Sequence, residues 1–253
     1  MKLVTWNVNS IRSRLERLLA LLARHKPDVV CLQELKGAED VFPFDAIQQA
    51  GYHAAVLGQK TYNGVAILSR AEPTDIHKGL GDDEHARLIA ATVDGVRIVN
   101  VYVPNGREVG CEHWDYKLDW LKTLAAWLAK TAKATDLLAV CGDFNVAPDD
   151  SDVAHPDEWA DSVLCHDRVR ELFRGLLDWP LVDVFRKHHP DGRIYSWWDY
   201  RRLAFPKGDG LRLDHILATD PLARCCSAAE VDRDERKGEK PSDHAPVMAT
   251  FDI

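Results

Sequence analysis

The residues best suited to chemistry fall at regular places: apolar, β-branched runs end, one after another, in a carboxylate, an amide or a histidine. LVTWN ends at Asn7, VVCLQE at Glu34, and IVNVYVPN reaches Tyr102 and Asn105. LLAVCGDFN ends at Asp143 and Asn145, LRLDH ends at Asp214 and His215, and the last apolar run is preceded by Ser242, Asp243 and His244. Strand ends of an open α/β sheet are where ligands bind. Where such ends converge, their carboxylates repel one another and lose hydration, and a hard divalent cation relieves both costs. Oxygen donors from Asp, Glu and Asn, with no thiolate, suit Mg²⁺ or Mn²⁺ better than zinc. The matching reaction is metal-assisted attack of water on a phosphate ester. The cation acts as Lewis acid, a carboxylate orients or deprotonates the water, and His, Asn and Tyr hold the phosphoryl oxygens. Taken singly, each residue has an ordinary reading. Glu34 could be a surface acid, Asn7 and Asn145 turn residues, Asp143 part of a turn after Gly142, Tyr102 core, Asp214 and His215 a structural pair, and His244 is one of 11 histidines. Their conjunction at successive strand ends is what argues for a site.

The elements that must position them are legible as patterns. Runs 3–8, 29–32, 65–68, 88–93, 96–103, 137–141, 213–218 and 246–251 read as buried strands. Leu15, Leu18, Leu19 and Leu22 line one face of a helix, with Ser13 and Glu16 at capping-box spacing near its start and Pro27 after its end. Leu118, Leu121, Ala125 and Leu128 form a second helical stripe, and residues 168–177 suggest a third. Asp94-Gly95 between two strand runs predicts a hairpin. Residues 231–241 are charged and read as a mobile loop before the last strand. Strands interleaved with helices, with at least one hairpin, make an α/β protein with mixed sheets.

Composition bounds the rest. With 253 residues, 46% of them hydrophobic and 28% charged, the chain suits one globular domain spanning 1–253 with a sizeable core. No linker or low-complexity tract divides it, no apolar run reaches membrane-spanning length, and the start MKLVTWNVNS lacks the pattern of a secretory signal. Cytoplasmic, nucleoid-associated residence and no membrane partner are therefore expected. The six cysteines have no zinc-ligand spacing and are expected to be reduced. A net charge of −8 argues against strong non-specific binding to nucleic acid and requires local contacts instead.

The ordered blocks WNVNS, LQELK, YVPNG, GDFNVAP, SWWDYR, GLRLDHIL and SDHAPV, taken together, resemble the exonuclease III family of nucleases and abasic-site endonucleases, over essentially the whole chain. The resemblance implies a four-layered α/β sandwich: two packed mixed β-sheets flanked by helices, with the site at one end between the sheets. It implies a Mg²⁺- or Mn²⁺-dependent DNA-repair phosphodiesterase acting, expected as a monomer, on double-stranded DNA with abasic sites or 3′ ends. By position, Glu34 matches the principal metal ligand, Asn7 the amide beside it, with Asn9 nearby, and Asp243 a second carboxylate near the metal. Asp143 matches the residue that activates or orients water, and Asn145 a contact to the scissile phosphate. His244 matches the histidine that stabilises phosphoryl charge, Asp214 its orienting carboxylate, and Tyr102 a phenol directed at the phosphate or the water.

The same resemblance implies DNA contacts. Tyr62 and Asn63 fall in a turn that approaches the duplex backbone, Lys60 can add a phosphate contact, and Arg87 matches an arginine near the backbone. Trp197, Tyr200 and Arg201, followed by Leu211, resemble the wall that accepts a flipped-out abasic sugar; of Trp197 and Trp198, Trp197 is the preferred pocket residue. Two departures stand out: Leu211 where some relatives hold an aromatic, and an acidic loop, 147–166, in which His166 either meets the sugar or starts a helix. Alternatives are a superfamily phosphoesterase acting on RNA or on a phosphoinositide or sphingomyelin headgroup, and a catalytically idle DNA-binding module. The segments SWWDYR and GLRLDH, and the presence of Glu34, Asp143 and His244, weigh against them.

Overall fold

Apolar runs too short for helices and rich in Val and Ile become twelve strands, and the computed structural model describes all of residues 1–253. The strands are β1 (Lys2–Asn7), β2 (Val29–Gln33), β3 (His53–Leu57), β4 (Val65–Ser69), β5 (Thr74–Lys78), β6 (Leu88–Val93), β7 (Val96–Tyr102), β8 (Leu138–Asp143), β9 (Leu181–Asp183), β10 (Asp214–Thr219), β11 (Cys226–Val231) and β12 (Val247–Phe251). The helices are α1 (Ile11–His25), α2 (Phe44–Gln49), α3 (Glu112–Thr131), α4 (Pro156–Trp159), α5 (Asp167–Asp178), α6 (Val184–His188), α7 (Ala204–Lys207) and α8 (Asp220–Arg224).

Two six-stranded sheets result, ordered β11-β12-β1-β2-β4-β3 and β5-β6-β7-β8-β10-β9. Each holds one parallel pair, β1 with β2 and β7 with β8, among antiparallel neighbours. Leu3, Cys31 and Ile67 of the first sheet pack on Ile98, Cys141 and Ile216 of the second. α1 and α2 cover the outer face of the first sheet, and α3 and α5 that of the second, giving the four layers. Burying such aliphatic side chains stabilises the fold by about 1.5–3 kcal/mol each.

This topology explains where the polar residues gather. A parallel pair delivers two C-terminal strand ends to one edge, and its antiparallel neighbours begin at that same edge. Thus Tyr102 and Asp214 both lie opposite Asp143 in register, and Asn7 lies beside Gln33, one residue before Glu34. Gly142 makes the close approach possible: its φ is 147°, and a Cβ there would lie 1.9 Å from the carbonyl oxygen of Val101. At the opposite turn, Asp94 and Gly95 both have positive φ, 48° and 80°, as a tight two-residue hairpin between β6 and β7 requires.

Two expectations change. The first helix starts at Ile11, so Ser13 sits inside its first turn, and Ser10 at the N-cap makes no side-chain cap bond. Its start is held instead by backbone bonds from Ser10 and Ile11 to the carbonyls of Glu34 and Leu35, at 2.8 and 3.1 Å. Residues 231–241 are not a free loop: they contain a 3₁₀ turn, Arg233–Arg236, in which Glu235 and Arg236 are buried. Arg17 and Arg24 of α1 pair with Glu235, and Arg236 stacks over Trp198, Tyr200 and Phe205 while donating to the Ser242 carbonyl.

Candidate active site

Six segments meet at the shared edge: the ends of β1, β2, β7 and β8, the start of β10 and the stretch before β12. Asn7, fully buried at the end of β1, donates from Nδ2 to Glu34 Oε1 (2.8 Å) and to Asp143 Oδ2 (2.9 Å), tying the two sheets together. Its Oδ1 accepts the Asn9 backbone N–H at 3.0 Å, so the amide presents its nitrogen to the carboxylates. Glu34 follows β2 in a left-handed conformation (φ 53°), and its Oε2 pairs with Lys36 Nζ at 2.9 Å. Asp143, 1% exposed, also accepts the Asn145 backbone N–H on Oδ1 at 2.9 Å.

His244 reaches this group from the segment before β12. Its Nδ1 lies 2.8 Å from Asp214 Oδ2, which also accepts from Ser196 Oγ at 2.6 Å, and its Nε2 faces Asp143 Oδ2 at 3.7 Å. Ser242 Oγ donates to the Asn7 carbonyl at 2.7 Å and Trp6 Nε1 to the His244 carbonyl at 3.1 Å, which fixes the segment against β1. Asp243 points the other way: Oδ1 accepts from Asn9 Nδ2 (2.8 Å) and Oδ2 from Trp197 Nε1 (3.1 Å).

Electrostatics divide these groups by task. Burial, with the charge of Asp214, pushes the Asp143 carboxyl up to about 7, against the pull of His244 and Asn7. Burial also opposes the charged form of His244, but Asp214 and Asp143 outweigh it and raise the imidazole to about 10, so it is a cation with both N–H groups. For Asp243 burial is outweighed by His244, Asn9 and Trp197, which hold it below the usual carboxylate range. Burial, together with Glu34 and Asp143, pushes the Tyr102 phenol well above its ordinary value, so it stays a neutral donor. Arg87 lies 4.8 Å from the Tyr102 ring and donates to its carbonyl at 3.1 Å.

Ligand atoms of Glu34, Asp143 and His244 all lie within 4.8 Å of one another. Two carboxylates, one of them desolvated and driven toward its neutral form, are what a hard divalent cation would relieve, so the donor set fits one. Asp243, with both oxygens engaged by Asn9 and Trp197, lies outside that group of three. A cleft of about 480 Å³ opens beside it, lined by Glu34, Tyr62, Arg87, Tyr102 and Asn105.

Of the residues expected at a DNA surface, Tyr62, Asn63 and Arg87 line this cleft, whereas Trp197 and Arg201 line a separate one of about 450 Å³ with Trp159. Tyr62 is 69% exposed and Lys60 is exposed, whereas Asn63 is buried with its amide donated to Gln59, so it braces the turn. Trp197 is half-buried beside Leu211, which is buried and pairs with it, while Trp198 is core. Tyr200 is exposed and held by Arg14 and the Pro241 carbonyl; Arg201 is exposed and chelated by Asp199. In the acidic loop, Trp159 packs edge-on against Trp197 at 6.0 Å. His166 starts α5, accepting the Arg168 N–H at 3.2 Å with its ring edge-on to Trp114. Lys36, Ser196 and Lys117 also belong to the site or its supports, and sequence reasoning misses them; nothing in their local pattern separates them from surface residues.

Residues 4–244 match the Endonuclease/Exonuclease/phosphatase family. The chain is 35% identical to exodeoxyribonuclease III of Haemophilus influenzae, across 99% of this chain and 100% of that one. Among solved structures it resembles an AP endonuclease from Archaeoglobus fulgidus, 44% identical with a TM-score of 0.97 over 100% of both chains. It resembles equally a Neisseria 3′ phosphatase bound to a product DNA hairpin, at 44% identity, TM-score 0.97 and 100% coverage of both. A site assembled from the C-terminal ends of both parallel strand pairs, in a chain matched end to end, places this protein in the Endonuclease/Exonuclease/phosphatase family, among its exonuclease III-type members.

Proposed function

We propose that this chain is a DNA-repair phosphodiesterase that hydrolyses phosphate esters of double-stranded DNA at abasic sites or 3′ ends, with Mg²⁺ or Mn²⁺ as its cation. Glu34 and Asp143 would hold the metal near Asn7, with Asp243 as a flanking carboxylate; the cation would supply Lewis-acid stabilisation of the phosphoryl oxygens. Asp143, which faces His244 Nε2 at 3.7 Å and is anchored by Asn7 and the Asn145 N–H, is the carboxylate placed to orient or deprotonate the attacking water. Tyr102, kept neutral, is suited to donate rather than accept. His244, oriented and charged by Asp214, offers Nε2–H to a phosphoryl oxygen, and Asn145, whose Nδ2 donates to the Val103 carbonyl at 3.0 Å and to Asp143 Oδ2 at 3.4 Å, would turn its second N–H from Asp143 to the same phosphate. Water oxygen bonds to phosphorus, the bond to the 3′-oxygen breaks in line, and the leaving 3′-oxygen takes a proton from solvent water to become a 3′-hydroxyl, the phosphate staying on the 5′-oxygen side. Lys60, Tyr62 and Arg87 would meet the duplex backbone, with Asn63 bracing their turn. Trp197, Leu211, Tyr200 and Arg201 would line the place of the flipped-out abasic sugar.

The observation that carries this reading is the Glu34–Asn7–Asp143 hydrogen-bonded chain facing the Asp214-oriented His244. We read the acting unit as one domain, 1–253, working as a monomer; both halves of the chain supply site residues. The test compares end-labelled duplexes carrying an abasic-site analogue, a recessed 3′-hydroxyl or a 3′-phosphate, with Mg²⁺ or with excess EDTA. Metal-dependent cleavage is expected, and a folded protein that cleaves none of the three would overturn the reading.

A further inference from the structure

One buried cation lies under the site and touches its backbone alone. Lys117 belongs to the inward stripe of α3, between Trp114 and Leu121, and is 0% exposed. Its Nζ donates to three carbonyls, those of Asn105 (3.0 Å), Asn145 (2.7 Å) and Val163 (2.6 Å). Only the ammonium form has a hydrogen for each. Isolating a charge this way is costly, and burial lowers its pKa to about 7 while Asp143 opposes the drop. A side chain wanted only for packing would be Leu or Met, so the three contacts point to a role beyond packing.

The three carbonyls belong to three different site segments. Asn105 follows β7, Asn145 follows β8, and Val163 lies in the acidic loop. Asn145 is left-handed (φ 51°), a conformation that needs support, and its Oδ1 accepts from Asn105 Nδ2 at 3.0 Å. The neighbouring backbone makes room for the lysine: at Gly106 (φ 96°) a Cβ would lie 3.0 Å from Lys117 Cδ and 3.3 Å from Val163 Cβ.

We propose that Lys117 is a positioning residue for the hydrolysis: by binding the carbonyls of Asn105, Asn145 and Val163 together, it sets the Asn105–Asn145 amide pair against the scissile phosphate and locks the acidic loop to it. The proposal rests on the phosphodiesterase reading and deepens it. It assigns the buried face of α3, whose first turns already line the cleft through Glu112, His113 and Tyr116, a share in the rate.

The test is a double-mutant cycle of Lys117→Met with Asn145→Ala, read as kcat and KM on the 3′-phosphate and abasic duplexes, below each variant's Tm. In the wild-type background Lys117→Met is expected to lower kcat by about tenfold or more with little change in KM. In the Asn145→Ala background it is expected to lower kcat by less than about threefold, because the group it acts through is gone. Lys117→Gln, which keeps an N–H pair, is expected to fall between. A purely structural lysine would lower Tm alike in both backgrounds and leave kcat alone. An unchanged kcat, equal losses in both backgrounds, or failure of both Lys117 variants to fold would each overturn the assignment. A wild-type protein that cleaves no duplex would instead bring down the reading on which it rests.

Discussion

At the scale of single residues, the site assigns opposite charge states to groups a few ångströms apart. His244 is cationic because Asp214 lies 2.8 Å from Nδ1, and Asp143 is pushed toward neutrality because it is dry and beside another carboxylate. Asp143→Asn keeps the shape but removes the proton acceptor, and His244→Ala removes the donor to the phosphate. Each is expected to lower kcat about a hundredfold or more while circular dichroism shows a folded chain; near-wild-type rates in either variant would refute these roles. Tyr102→Phe separates donor from base. If the phenol only donates, the rate should fall while the dependence on pH below neutrality, set by Asp143, keeps its shape.

At the scale of elements, strand ends were legible because a polar residue at the edge of an apolar run is conspicuous: Asn7, Glu34 and Asp143 stand at the close of such runs, and Asp214 and His244 at or just before the start of β10 and β12. Strands β3, β5, β9 and β11, the four sheet edges, were not: TDIHK of β5, for one, is almost wholly exposed and has no reason to be apolar. Charged residues that turn inward were equally hidden, since Lys117 and Arg212 interrupt apolar patterns as solvent-facing residues do. Arg212, 1% exposed, binds Asp152 of the acidic loop at 2.7 Å and Asp183 at 2.7 Å, and Arg186 joins Asp152 from the other side. The acidity of that loop is therefore partly structural. Asp152→Ala strands two arginines and is expected to cost about 3–5 kcal/mol in denaturant unfolding. Burial resists ionisation of Asp183, but Arg212 and His215 win and hold it well below the usual carboxylate range. Its stabilisation is therefore complete above an unfolded pKa of about 4 and is lost as pH falls toward the folded value. Asp183→Asn should flatten the acid limb of a Tm–pH curve; an unchanged limb would rule the pair out as its source.

At the scale of the whole molecule, much of the positive charge is spent internally. Arg14, Arg17, Arg24 and Arg236 are tied to carbonyls, carboxylates or aromatic rings around residues 232–242. With a net charge of −8, the expected DNA-facing side keeps few uncommitted cations, Lys60 among them, since Arg201 is paired with Asp199. The salt dependence of duplex binding is accordingly expected to be shallow, with a log–log slope of about −0.9 for each phosphate neutralised and only a few neutralised. A steep slope in a salt titration would point to an unrecognised cationic face. The pairing of β1 with β12, Lys2 opposite Thr250, bears on the protein's synthesis as well. Translation as far as residue 241 supplies β1 but neither β12 nor His244, so an incomplete chain of that length lacks both a neighbour of β1 and the imidazole that faces Asp143, and is expected to leave DNA uncut.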